Sequence, residues 1–248
     1  LDDFAIIEGG PMMGCIIDID EPVKKTTSGF LVFPKEHPLI VNRLTSINYI
    51  LRIAASACMQ CRACTDLCPR YLLGHPIEPH KIMRSTAMPL SLPVETMTAA
   101  MLCSECGICE LFACPMRLSP RRINRELKER FAAQSIRFKC DDDEFIPREE
   151  REYRRIPSRR LAERLGILDY IDIHPQFIPI FPISSKVRLP LKQNMGVPAI
   201  PLVIVGDDVK KSQKIADIPK GELGAPLHAP IDGKIISIEP DIVIESAN

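Results

Sequence analysis

The chain reads as an α+β protein: a β-rich opening, a helical module built around cysteines, and a compact β domain at the end. Three observations lead there. Short apolar runs divided by glycine and proline turn signals fill residues 1–43 and 186–248. Helix-period apolar spacing governs much of residues 44–140. Eight of the ten cysteines fall into two runs, Cys58-x2-Cys61-x2-Cys64-x3-Cys68-Pro69 and Cys103-x2-Cys106-x2-Cys109-x4-Cys114-Pro115.

In the opening segment, residues 1–43, Phe4–Ile7 and Cys15–Ile17 are strand candidates separated by the turn Gly9-Gly10-Pro11. Phe30–Phe33 is a third, closed by Pro34. This is too little apolar sequence for an independent core. Leu1 opens the chain with no initiator methionine, so the protein is expected to continue upstream.

Residues 44–140 form the cysteine module. Thr45 or Ser46 caps a helix carrying Ile47, Ile50, Leu51 and Ala54, which delivers the chain to Cys58. Further helices are predicted over 79–87 and over 93–102, the second ending at Cys103. Ser119 caps another that starts at Pro120, with Ile123, Leu127 and Phe131 on one face. Residues 141–185 carry repeated prolines and mixed charge. They read as a connector with one short helix over 159–165, capped by Ser158 and stopped by Gly166. In residues 186–248, the runs Val187–Leu191, Ile200–Val205, Ile235–Ile238 and Ile242–Ile244 suit a small sandwich or barrel.

The cysteine spacing is that of thiolates around two 4Fe–4S clusters. Three cysteines at two-residue spacing wrap one face of a cubane core, and the fourth must arrive from elsewhere. In the two-cluster ferredoxin pattern the fourth cysteine of each run ligates the other cluster. This assigns Cys58, Cys61, Cys64 and Cys114 to cluster 1, and Cys103, Cys106, Cys109 and Cys68 to cluster 2. The four-residue gap before Cys114 departs from the usual three and makes the geometry of that ligand different. A disulfide framework suits small secreted domains, whereas this chain has no signal-peptide pattern and no apolar span long enough for a membrane. Structural zinc is left open by the paired C-x2-C units, although zinc does not require the third cysteine of each run. Cys15, in an apolar run, reads as a small packed hydrophobe. Cys140, beside Asp141-Asp142-Asp143-Glu144, reads as incidental.

Arg62, Arg70, Arg117, Arg121 and Arg122 lie near the cysteines in sequence. They either raise the potential of anionic clusters or are ordinary solvated arginines. His75 and His80 lie between the runs, but eight cysteines already complete two ligand sets. Basic and acidic residues number 32 each, so charge points to neither a nucleic acid nor an anionic membrane. With no tryptophan and 5% aromatic residues, the chain also lacks a surface for stacking bases.

Three stretches then carry a resemblance. Gly9-Gly10-Pro11-Met12-Met13-Gly14 with Pro22-Val23-x-Lys25-Thr26-Thr27 resembles the β-grasp region of the C-type component of Rnf-type electron-transport complexes. Ala113-Cys114-Pro115-Met116 continues that likeness. Cys68-Pro69-Arg70 to Gly74-His75, with Pro79-His80, is similar to the related cobalamin reductases of propanediol-utilisation microcompartments. Gly206-Asp207-x-Val209 and Leu223-Gly224-Ala225-Pro226-Leu227-His228-Ala229-Pro230-x-x-Gly233 resemble a barrel-sandwich hybrid domain of biotinyl/lipoyl type. Lys220 and Lys234 lack the context of a modified lysine, so this domain reads as a docking or structural module.

The resemblance implies a β-grasp remnant, a helical two-cluster ferredoxin-like module and a C-terminal barrel-sandwich hybrid. It implies an oxidoreductase passing electrons from NADH through FMN and two 4Fe–4S clusters to cobalamin. It further implies a cytoplasmic protein in the microcompartment lumen, with a corrinoid, a corrinoid adenosyltransferase and microcompartment proteins as partners. No G-x-G-x-x-G or other nucleotide fingerprint is present, so FMN and NADH are expected to bind upstream. Cysteine ligands are assigned, but no catalytic residue is. A second reading is the peripheral C-type component of an Rnf-like membrane electron-transport complex. A third is a non-catalytic interaction module whose metal only holds the fold.

Overall fold

A computed structural model describes residues 3–87, 93–139, 145–174, 176–178 and 184–246. The chain packs as two units, residues 1–16 with 30–174 and residues 17–29 with 175–248.

The first unit opens with strands β1 (Phe4–Glu8), β2 (Cys15–Ile17) and β3 (Phe30–Pro34), ordered β2-β1-β3. β1 and β3 pair antiparallel with Ile7 opposite Leu31. Helix α1 (Pro38–Leu44), which sequence periodicity did not reveal, closes one face of this sheet. Its Leu39 and Ile40 pack with Ile7 and Phe33 in a buried cluster.

Helix α2 (Ile47–Ala57) starts as expected, with Ser46 Oγ accepting from Tyr49 N at 3.3 Å. Ile50 and Ala54, one turn apart, are its buried residues. Two four-residue helices follow, α3 (Ala63–Asp66) and α4 (Pro69–Leu72), then α5 (Pro79–Arg84). The helix expected over 93–102 is α6 (Val94–Thr98), tightening into a 3-10 turn over Ala99–Leu102. Helix α7 (Pro120–Ala133) begins where Ser119-Pro120 places it, but the Ser119 hydroxyl makes no capping bond. Ile50, Ile82, Ala100 and Ile123 bring α2, α5, the 3-10 turn and α7 into one core, against which Cys58, Cys68, Cys103 and Cys114 pack.

The connector is more committed than its composition implies. Helix α8 (Ser158–Leu165) has Pro157 rather than Ser158 at its N-cap, because the proline already holds the extended backbone that precedes a helix. It ends at Gly166 as expected. Leu165 enters the core of the β1–β3 sheet. Arg148 N donates to Leu72 O at 2.9 Å, pinning residues 145–148 to α4. Gly74, at φ +96°, lies so close to Ile146 that a Cβ would collide with its carbonyl oxygen. Gly74→Ala is expected to lower stability by about 1–3 kcal/mol, read as a lower midpoint of thermal unfolding.

In the second unit, β4 (Lys186–Pro190), β10 (Asp241–Glu245), β9 (Gly233–Ser237) and β6 (Asp208–Val209) form an antiparallel sheet in that order. β5 (Ile200–Pro201), β7 (Lys214–Asp217) and β8 (Leu227–His228) form another. Ile215, Ala216, Leu227, Ile235, Ile242 and Ile244 fill its core. The strand expected over Ile200–Val205 stops at Pro201: Ile204 N instead donates to Asp207 Oδ2, at 2.9 Å, in a turn. Residues 17–29 join this unit, with Lys25 N donating to Gln193 Oε1 at 3.0 Å. Cys140 and Asp141 to Glu144 lie outside the described residues.

Candidate metal centre

The two cysteine loops share one backbone design. Cys58 ends α2, and the chain then turns through Gln60 (φ 55°) and Arg62 (φ 68°) into α3. Cys103 ends the 3-10 turn, and the chain turns through Glu105 (φ 58°) and Gly107 (φ 84°). Left-handed residues at the same two positions curl each C-x2-C-x2-C stretch into a concave loop, a nest that gathers backbone N–H groups. Glu105 N donates to Cys103 Sγ at 3.4 Å, and Gln60 Nε2 donates to Cys58 Sγ at 3.2 Å. The fourth cysteine of each run comes next to a proline. Cys68 is the N-cap of α4. Cys114 accepts from Leu118 N at 3.3 Å.

The extra residue before Cys114 is absorbed by a π-turn over Cys109–Ala113, in which Cys114 N donates to Cys109 O at 3.1 Å. A single π-bulge adds one residue without reversing the chain. In the shorter first run the equivalent bond is Cys68 N to Thr65 O at 2.9 Å.

The thiols gather across the runs. Cys64 is buried, and its pKa is pushed up to about 12, first by desolvation and then by Cys114, Cys58 and Cys61. Cys68 is pushed up to about 11 by burial, opposed by the backbone N–H groups of Tyr71 and Arg70 and reinforced by Cys103 and Cys106. Cys109, buried, is raised well above an ordinary thiol by burial, then by Glu110, Cys103, Cys68 and Cys106. Burial also raises Cys103. The mutual influences therefore sort the eight thiols into Cys58, Cys61, Cys64 and Cys114, and Cys68, Cys103, Cys106 and Cys109. The first four all line one recess. Among the described residues, no group of three His, Cys, Asp or Glu is arranged to hold a single metal ion.

This donor chemistry suits a multi-iron core. Eight thiolates in two groups are soft ligands for iron–sulfur centres. Burial favours the protonated thiol at Cys64, Cys68, Cys103 and Cys109, so metal loading of either group must release protons. In metal-free protein near neutral pH, iodoacetamide is expected to label exposed Cys61 and Cys15 at least about tenfold faster than Cys64 and Cys109, because the thiolate is the nucleophile. Peptide mass spectrometry over time reads this directly.

The arginines divide. Arg62 donates to Asp66 Oδ1 at 3.0 Å and to Tyr71 Oη at 2.6 Å, and Arg148 stacks 4.0 Å from the Tyr71 ring centroid. Arg122 Nη1 holds Thr45 O at 2.6 Å, and Arg70 meets His75 at 3.1 Å. Arg121 pairs with Glu110 at 2.5 Å and donates to Met12 O at 2.7 Å. Arg117 is exposed. His75 packs against Phe145, ring centroids 4.2 Å apart and tilted by 39°. His80 borders the recess, its Nδ1 2.8 Å from Thr65 Oγ1. Cys15 is exposed rather than packed, because β2 turns the neighbouring Ile16 into the core.

Three contributors escaped sequence reasoning. Lys128 Nζ donates to Cys103 O at 3.0 Å and to Glu105 Oε1 at 2.6 Å, holding the second loop to α7. Asn124, 1% exposed on α7, sets its carboxamide beside Cys103, and neither of its side-chain polar atoms has a hydrogen-bond partner. Arg43 donates to Pro11 O at 2.6 Å and Gly14 O at 3.1 Å, fixing the Gly9–Gly14 turn. The only advance sign of Lys128 and Asn124 was their place on the helix that follows Cys114.

Comparison with known proteins starts from the same residues. A family described as a 4Fe-4S dicluster domain matches residues 57–119, and one described as an RnfC barrel sandwich hybrid domain matches residues 174–248. The cobalamin reductase PduS of Salmonella typhimurium is 42% identical over 245 residues, 98% of this chain and 53% of that protein. This chain resembles a cobalamin reductase over nearly its whole length. The cobalamin reductase PduS of Citrobacter freundii is 43% identical over 240 residues, 96% of this chain and 52% of that protein. The chain thus spans about half the length of the cobalamin reductases it matches. Likeness to the C-type component of the ion-translocating oxidoreductase complex of Pseudomonas aeruginosa is 44% over 57 residues, 23% of this chain and 7% of that protein. Among the described residues no helix is long and apolar enough to cross a membrane.

Proposed function

We propose that this chain is the electron-transfer part of a corrinoid reductase, holding one 4Fe–4S cluster on Cys58, Cys61, Cys64 and Cys114 and a second on Cys68, Cys103, Cys106 and Cys109. The observation that carries this reading is the crossing of the runs, since each fourth thiol lies with the other run's three. Clusters bound there supply reversible one-electron transfer. The chain supplies ligation, exclusion of water, and tuning by N–H···S bonds from Glu105 and Leu118. Asn124 and Lys128 add polarity and positive charge beside Cys103, which favours the reduced, more anionic state of the second centre.

In this reading electrons come from NADH through FMN, both bound by sequence outside this chain, and cobalamin is the acceptor. The three-stranded sheet β2-β1-β3 belongs to a β-grasp domain. A corrinoid adenosyltransferase consumes the low-valent cobalt, and the site of action is a microcompartment lumen. Similarity to cobalamin reductases over almost all of the chain supports this, whereas likeness to the C-type components of ion-translocating complexes covers about a quarter or less.

The test is anaerobic stopped-flow mixing of the reduced, iron-loaded protein with aquacobalamin or with ferredoxin. Cobalt(II) absorbance growing as the reduced clusters regain their oxidised absorbance supports the corrinoid reading. Rapid exchange with ferredoxin and none with aquacobalamin would replace it with the membrane-complex reading.

A further inference from the structure

The two thiol groups differ in their access to solvent. Around the first, Met59, Gln60, Cys61 and Arg62 are all exposed, as are Pro115, Met116 and Arg117 after Cys114. Around the second, no residue from Cys103 to Cys109 is exposed, and Lys128 ties the loop to α7. Cys61 is the one thiol of the eight that is exposed. Met59 and Met116 stand 63% and 44% exposed on the rim of the recess that Cys58, Cys61, Cys64 and Cys114 line. Two exposed methionines flanking a redox ligand are not explained by packing, because neither joins a core cluster of its unit.

We infer that the Cys61 rim is the port through which electrons leave the chain, and that its occupant is the corrinoid itself. The inference rests on the corrinoid reading above. Electron transfer weakens steeply with separation, so a dissociable acceptor must reach the exposed centre rather than the covered one. The rim matches a corrinoid chemically. Unbranched, polarizable methionine side chains adapt to the broad apolar face of a macrocycle. The guanidinium group of Arg62, which lines the recess, suits its carboxamide carbonyls and the phosphate of its nucleotide tail. Arg62 is held in place by Asp66 and Tyr71, so its charge stands ready at the rim. One electron passes per encounter: cobalt goes from Co(III) to Co(II) with loss of its axial water, and the first centre gives up the same electron.

The test compares the iron-loaded protein with Met59→Glu/Met116→Glu and with Tyr153→Glu, an exposed aromatic-to-acid change outside the recess. Aquacobalamin binding to the oxidised protein is measured by ultrafiltration, and reoxidation of the reduced protein by stopped flow. The rim variant is expected to weaken binding and slow reoxidation by aquacobalamin about tenfold or more. Its iron content and its reoxidation by a small neutral quinone should stay near those of the parent, and Tyr153→Glu should match the parent throughout. Met59→Glu alone serves if the double change lowers iron content. Unchanged binding and rate in the rim variant would overturn the port. A parent protein that the quinone reoxidises but aquacobalamin neither binds nor reoxidises would overturn the corrinoid reading itself, and this occupant with it.

Discussion

Cys58→Ser combined with Cys68→Ser is expected to remove both clusters, whereas Cys68→Ser combined with Cys103→Ser removes one. The first pair lies in a single run ten residues apart, and an uncrossed arrangement would place it on one centre. In the crossed arrangement Cys58 belongs with Cys64 and Cys114, and Cys68 with Cys103 and Cys106. Iron per chain should fall from about eight to near zero in the first double variant and to about four in the second. Each single variant, including Cys58→Ser, should retain about four. Iron content from anaerobic preparations decides the matter. The reverse ordering of the two doubles would mean that each run closes its own site.

Arg121→Met is expected to be among the most damaging changes away from the thiols. The Glu110 side chain is 0% exposed and meets Arg121 at 2.5 Å, with the Arg121 side chain 13% exposed. Burial raises the Glu110 pKa, and Arg121 opposes that shift. Removing the guanidinium leaves a buried carboxylate beside Cys109 without its ion-pair partner, and costs about 3–5 kcal/mol. It also releases the Met12 carbonyl that holds the Gly9–Gly14 turn. Anaerobic urea unfolding followed by circular dichroism should show an earlier midpoint. Adding Glu110→Gln should restore roughly half of the loss or more, because the stranded charge is gone. A midpoint for Arg121→Met within about 1 kcal/mol of the parent would mean the pair is not a structural tie.

What sequence revealed and what it hid follow from the range of the forces involved. The strands of the opening segment, the start of α2 at Ser46 and the start of α7 at Ser119-Pro120 are set by local turn, cap and proline chemistry, and were legible. The candidate ligands could be named in advance too, because cysteine spacing is a short-range code. The extra residue before Cys114 could be counted, but its solution as a π-turn depends on how Cys109 and Glu110 are buried. Helix α1 was hidden by its length of seven residues, too short for periodicity to register. The passage of residues 17–29 into the second unit depends on Gln193, far along the chain. Asn124, Lys128 and Arg43 act through contacts with distant segments, and their types alone suggest solvated helix faces. Cys15 illustrates the converse: an apolar run suggests burial for every member, but Cys15 lies exposed at the start of β2 while Ile16 and Ile17 are half-buried.

The central claim is that two groups of four thiols each hold a 4Fe–4S cluster. Its most direct test is iron, acid-labile sulfide and zinc analysis of anaerobically prepared protein. The account predicts about eight iron and eight sulfide per chain with little zinc. A protein that carries zinc and no acid-labile sulfide would contradict it.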